Sequence, residues 1–145
     1  MTTLLLAVAL AGPPWVHEIR VDNSRRTLTA LDKDGAVMRR FEVGVGWKRH
    51  QGTARVAGKA ECPPYRDPAT KRQIPGCAAD NPLGARWLAL GIYATSGREY
   101  GIHGTDDERD IGRLTRGCIR LRNADVTWLY EHARVGTLVR FAGWT

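Results

Sequence analysis

YGIHGTDDERDIGRLTRGCIRLRNADVTWLYEHARVG, Tyr100 to Gly136, is the stretch that decides how this chain is read. It opens on a short apolar segment, Tyr100 to His103, with the look of a strand running into a site loop. A polar, glycine-bearing loop follows, and then Thr115-Arg116-Gly117-Cys118-Ile119-Arg120-Leu121. Beyond that, Val126, Leu129, Tyr130 and Ala133 fall at i, i+3, i+4 and i+7, the spacing of one apolar helix face. Asn123 reads as the N-cap of this helix, Asp125 suits its N-terminus, Arg134 sits near its end and Gly136 stops it.

Working outward, the rest of the chain reads as strands. Thr137 to Phe141 returns after the helix. Upstream, Val16 to Asp22 and Thr27 to Leu31 flank the polar turn Asn23-Ser24-Arg25-Arg26. Asp34-Gly35 then leads into Ala36 to Gly44, with Val37, Phe41 and Val43 on one alternating face. Gly44, Gly46 and Gly52 mark a loop before Thr53 to Gly58, a further strand. Trp87 to Tyr93 is an extended apolar run, and Trp87 and Tyr93 are read as core because aromatic side chains bury so much area. The segment 60–84 holds five of the seven prolines and two of the three cysteines. A long irregular stretch of this kind in a compact domain has the character of a lid or binding loop. The expectation is one mainly β domain with minor α, a sandwich or barrel with one helix near the C-terminus. Its proposed limits are 15–145.

The segment 1–14 contains an apolar run, Leu4 to Ala11, far short of the roughly 20 residues that span a bilayer. It reads either as a minimal signal-like segment, with Ala9-Leu10-Ala11 as a small-x-small site, or as a first strand. The 145 residues carry 22 Lys and Arg against 15 Asp and Glu, a net charge of +7. This favours an anionic partner. The cations are scattered, and no helix-turn-helix, RNA-binding aromatic signature or zinc-finger spacing accompanies them, which argues against nucleic acid. No metal-ligand spacing stands out either: Cys62 and Cys77 lack a C-x-x-C partner or a nearby His. These two lie 15 positions apart and are candidates for a disulfide, leaving Cys118 as the odd thiol.

Cys118 and His103 carry the chemistry. A thiol is a nucleophile as thiolate, and a neighbouring imidazole can take its proton and later return it to a leaving amine. Gly117 allows the backbone to approach closely, so that amides around Gly117 and Cys118 face a developing oxyanion, and Gly104 leaves room beside the base. By residue type and spacing alone, a buried structural cysteine and a surface histidine are the commoner readings.

The order His103-Gly104-Thr105, then Thr115-Arg116-Gly117-Cys118-Ile119-Arg120, resembles the signature of the L,D-transpeptidase (YkuD-like) catalytic domain. Ile111-Gly112, the Asn123-x-Asp125 helix opening and the closing Gly136-Thr137-Leu138-Val139 extend the likeness. Upstream it thins: Arg49-His50 stand in place of a Thr-Pro, Ala54 in place of an aromatic, and Thr115 in place of the commoner Ser. The resemblance implies a cofactor-free, metal-free acyl transfer between peptidoglycan stem peptides in the bacterial cell envelope. In it Cys118 forms a thioester with release of D-alanine, His103 is the base, and carbapenems acylate the thiol. It assigns Cys118, His103, Gly117 and Gly104 to catalysis and Arg120, Thr115, Arg116 and Thr105 to substrate. Arg120 would hold a stem-peptide carboxylate or brace the loop, Thr115 would position the loop, and Asp106, Asp107 and Asp110 would be solvated charges. An L,D-carboxypeptidase or endopeptidase, and a non-catalytic wall-binding module, are the alternatives.

Overall fold

The computed structural model describes residues 14–46 and 50–143; the Leu4 to Ala11 run and Arg49 lie outside the described residues. Eleven strands occur in chain order: β1 Glu18–Asp22, β2 Thr27–Leu31, β3 Val37–Glu42, β4 Gly52–Arg55, β5 Gly58–Glu61, β6 Tyr65–Arg66, β7 Gln73–Ile74, β8 Arg86–Tyr93, β9 Glu99–His103, β10 Ile119–Arg120 and β11 Leu138–Ala142. A single 3-10 turn, Glu108–Asp110, and one α-helix, α1, Asn123–His132, complete the described elements.

The strands form two main sheets, ordered β3-β2-β1-β11-β4 and β10-β9-β8-β5, with β6-β7 as a small hairpin apart. Neither large sheet closes on itself, so the architecture is a sandwich. Ile19, Val21, Leu28 and Val139 from the first sheet are fully buried, and so are Leu88, Ile102 and Ile119 from the second. Helix α1 adds Val126, Leu129 and Ala133 to this core. Burying each large aliphatic side chain contributes about 1.5–3 kcal/mol.

The β1–β2 hairpin turns where expected. Asp22 Oδ1 accepts the backbone N–H of Ser24 and of Arg25, both at 3.0 Å. β1 also pairs in parallel with β11, Glu18 opposite Leu138 through Asp22 opposite Ala142. The segment read as one strand from Thr53 to Gly58 is two short strands in different sheets: β4 pairs with β11 and β5 with β8.

Several expectations change. Val37 is 55% exposed rather than inward-facing. Arg39 shares its face and lies 4.9 Å over the Trp128 ring of α1, so a cation, not an aliphatic side chain, closes the core edge there. Tyr93 is 62% exposed, at the end of β8 where the hairpin projects outward. Asn123 is the first helical residue, preceded by Arg122 without a side-chain cap. The helix ends at His132, and Gly136 (φ +97°) lies in the turn beyond it.

The segment 60–84 carries more order than its composition suggests. Cys62 and Cys77 form a disulfide with Cα atoms 4.8 Å apart. Asn81 is fully buried and donates from Nδ2 to Pro63 O (2.9 Å) and Pro75 O (3.0 Å), tying the two arms of the loop together.

Candidate active site

β9 and β10 run parallel, with Ile102 opposite Ile119 and His103 opposite Arg120. Ile102 and Ile119 both point into the core. Side chains alternate along a strand, so His103 and Arg120 take the other face, and Cys118, one step before β10, shares it. A register set by two isoleucines thus brings together residues 15 positions apart. Cys118, His103, Arg120, Thr115 and Arg116 all line one cavity of about 560 Å³. Tyr65, Asp67, Pro68 and Ala69 of the disulfide-closed loop, with Pro82 just beyond it, form its other wall.

His103 is 5% exposed, and its Nδ1 lies 2.6 Å from Gly104 O. A carbonyl only accepts, so Nδ1 carries the proton and Nε2 keeps its lone pair in the neutral ring. Trp87 stacks on the imidazole at 5.9 Å with 17° between planes. Trp87 thus packs against the core, as expected, and also flanks the His103 ring. Burial lowers the His103 pKa to about 4, against the smaller opposing effect of the Gly104 hydrogen bond. At neutral pH this imidazole is an uncharged proton acceptor.

Cys118 is buried and is the free cysteine among the described residues. Burial pushes its thiol up, while the Gly101 backbone and the Arg98 and Arg120 guanidinium groups favour the thiolate. The resting pair is therefore neutral thiol and neutral imidazole, and no hydrogen bond joins them among the described residues.

The loop carrying Cys118 is held by its own threonine. Thr115 Oγ1 donates to Cys118 O at 2.5 Å and accepts the Gly117 N–H at 3.2 Å. Gly117 has φ +135°, and a Cβ there would run into the Tyr100 ring, so this position admits glycine alone without rearrangement. Gly117 N–H is thus engaged within the loop, which corrects the expectation that it faces an oxyanion.

Thr105 is 3% exposed and does not line the cavity. Its Oγ1 donates to Asp107 O and accepts the Asp107 N–H, both at 3.0 Å, shaping the turn after His103. Asp107 carries a role of its own: it holds Arg109 through two side-chain contacts of 2.9 Å, and that hydrogen bonding lowers its pKa to about 2. Asn123 holds the turn that follows His103. Its Oδ1 accepts from Ala85 N (3.0 Å) and Thr105 N (3.1 Å), and its Nδ2 donates to Thr105 O (2.8 Å). A Cβ on Gly104 would strike that same Oδ1.

Two residues near Cys118 escaped the sequence reading. Arg98, from the β8–β9 turn, lines the cavity and bears on the Cys118 thiol. No periodicity marks it, because a tight turn places it. His50 is buried, with Nε2 2.7 Å from Gly117 O. In the sequence it stood out only as a departure from a motif. No cluster of three or more potential metal ligands occurs among the described residues.

The family model for the L,D-transpeptidase catalytic domain (YkuD) matches residues 17–140. The chain belongs to the L,D-transpeptidase family. Its curated relatives include YqjB of Bacillus subtilis strain 168, 39% identical over 134 residues, covering 90% of this chain and 72% of the relative. YbiS of Escherichia coli K12 is 34% identical over 152 residues, covering 97% of this chain and 49% of the relative. Among solved structures, the L,D-transpeptidase 3 of Mycobacterium tuberculosis in complex with a faropenem-derived adduct superposes with a TM-score of 0.61 at 20% identity. That match covers 89% of this chain and 60% of the other. The chain thus spans most of the Bacillus relative but about half of the Escherichia coli one. Both relatives are named as L,D-transpeptidases, and this chain is an enzyme of that family.

Proposed function

We propose that this domain transfers acyl groups between peptidoglycan stem peptides through a thioester on Cys118. One observation carries the reading: the free thiol, a neutral imidazole with its proton fixed on Nδ1, and three guanidinium groups line a single cavity. Cys118 Sγ attacks the carbonyl carbon between a diamino acid and a terminal D-alanine, and His103 Nε2 accepts the thiol proton. Collapse of the tetrahedral intermediate breaks the C–N bond. His103 returns the proton to the departing D-alanine amine, and the thioester remains. An amine of a second stem peptide then attacks the thioester and gives its proton to His103. The new amide is a cross-link between two diamino acids, and the thiol is regenerated.

Arg98, Arg116 and Arg120 give the cavity a positive lining, with Asp67 as its one carboxylate among the described residues. Such a surface suits a donor bearing free carboxylates, which guanidinium forks hold in bidentate pairs. The segment 60–84 acts as the lid, since five of its residues form the cavity wall. Its disulfide supports work outside the cytoplasm, in the cell envelope, because disulfides persist in oxidising compartments.

The test is incubation with a synthetic tetrapeptide stem, following D-alanine release and joined products by mass spectrometry. Release with a joined product, abolished in Cys118→Ala, is the expected result. Release without joining makes the enzyme a carboxypeptidase, and absence of both leaves a wall-binding module. Faropenem should add once, on the peptide containing Cys118; an adduct elsewhere would mean another nucleophile.

A further inference from the structure

The peptide unit immediately before the nucleophile is gripped from a distant part of the chain. His50 is 6% exposed, and its Nε2 sits 2.7 Å from Gly117 O. Since a carbonyl only accepts, Nε2 must be the protonated nitrogen. The ring's direction is set by packing: it lies edge-on to Tyr100 at 4.9 Å and tilted against Phe141 at 5.3 Å. Tyr100 also occupies the space a Gly117 side chain would need, so one tyrosine locates both partners of this hydrogen bond. His50 does not line the cavity and cannot touch substrate from there.

The carbonyl that His50 engages belongs to the same amide as the Cys118 N–H. Gly117 N–H is already taken by Thr115 Oγ1, so the Cys118 N–H is the loop amide that remains to meet a developing oxyanion. Glycine at φ +135° leaves the orientation of this peptide weakly determined by its own residue. A hydrogen bond on the carbonyl settles the plane, and hydrogen bonds in series polarise one another, making the N–H at the far end a better donor. We infer that His50 is a positioning residue that, by donating to Gly117 O, aims and polarises the Cys118 N–H as oxyanion donor. The inference rests on the acyl-transfer reading above and deepens it. No bond to His50 forms or breaks during the reaction.

Two variants separate this role from mere packing. His50→Phe keeps an aromatic ring between Tyr100 and Phe141 but has no donor. His50→Gln loses the ring and keeps an N–H that can reach the carbonyl. Circular dichroism and thermal melting establish folding, and acylation of Cys118 by faropenem or tetrapeptide is timed. Deleting an oxyanion donor outright costs about 10²–10³-fold. Loss of its alignment in His50→Phe should slow acylation about 10-fold with KM within about two-fold, and His50→Gln should recover most of the rate. The reverse order, or equal loss in both, overturns the inference.

A spectroscopic readout does not depend on turnover. The Gly117 carbonyl ¹³C and Cys118 amide ¹H resonances should move in His50→Phe and return towards wild type in His50→Gln. Identical shifts in all three proteins would defeat the inference even where acylation proceeds normally. Wild-type protein that neither faropenem nor the tetrapeptide acylates would instead defeat the transferase reading. In wild type alone, the His50 ring nitrogens must report a protonated Nε2 at neutral pH, and an unprotonated Nε2 overturns the proposal whether or not the variants fold.

Discussion

Acidification should destabilise this domain through His103, in a pH window set by burial. The imidazole is 5% exposed, and its pKa falls from 6.5 to about 4 on folding. Between those values the unfolded chain binds a proton that the folded protein refuses, so stability rises with pH. The contribution is fully present above pH 6.5, is lost progressively as pH falls, and is gone near pH 4. With 1.36 kcal/mol per pKa unit, the loss relative to pH 7 is about 2 kcal/mol at pH 5 and about 3 kcal/mol at pH 4. His103→Gln isolates this effect, because glutamine is polar and does not titrate. Urea unfolding of both proteins at half-unit steps from pH 7 to pH 4 supplies the difference curve. Carboxylates such as Glu18 and Asp22, whose pKa values are also lowered, contribute to both proteins and cancel. If wild type and His103→Gln lose stability in parallel, His103 is not held neutral by burial. The account of it as an uncharged base then fails with it.

Further outcomes follow from the same geometry. Asn123→Ala removes the partners of two backbone N–H groups and one carbonyl. At about 1 kcal/mol or more for each, urea denaturation should show a loss of about 3 kcal/mol; a loss below about 1 kcal/mol would mean that water replaces the clamp. Replacing Cys62 and Cys77 together by Ser opens a loop closed over a separation of 15 residues and should cost about 3 kcal/mol, read as a lowered unfolding midpoint that matches reduced wild type. Arg98→Gln withdraws a cation that favours the thiolate, so iodoacetamide should alkylate Cys118 more slowly at pH 7, and KM for a tetrapeptide donor should rise about 10-fold. Unchanged values of both would remove Arg98 from the site.

The alternating and helical periods of the sequence determined the helix and most of the longer strands, but not the short β5, β6 and β7. Ile19, Val21, Leu28, Val126 and Leu129 are buried as their spacing requires. The order His103-Gly104-Thr105 and Thr115-x-Gly117-Cys118-x-Arg120 also carried the family resemblance, and with it the choice of Cys118 and His103 as the proposed nucleophile and base. Local pattern could not show which alternating position lies under the opposite sheet. Val37 is exposed because the core edge is closed by Arg39 over Trp128, a contact between β3 and α1, which are far apart along the chain. Asn123 looked like a cap because asparagine caps helices. Only the docking of β8 and β9 beside the helix start turned its amide onto Ala85 and Thr105 instead. Arg98 and His50 are set by a tight turn and by ring packing, neither of which leaves a periodic trace. The protonation states were likewise a tertiary matter: an imidazole and a thiol have ordinary values in an unfolded chain. Burial beside the cavity pushes them apart, the imidazole down and the thiol up, so that both rest uncharged.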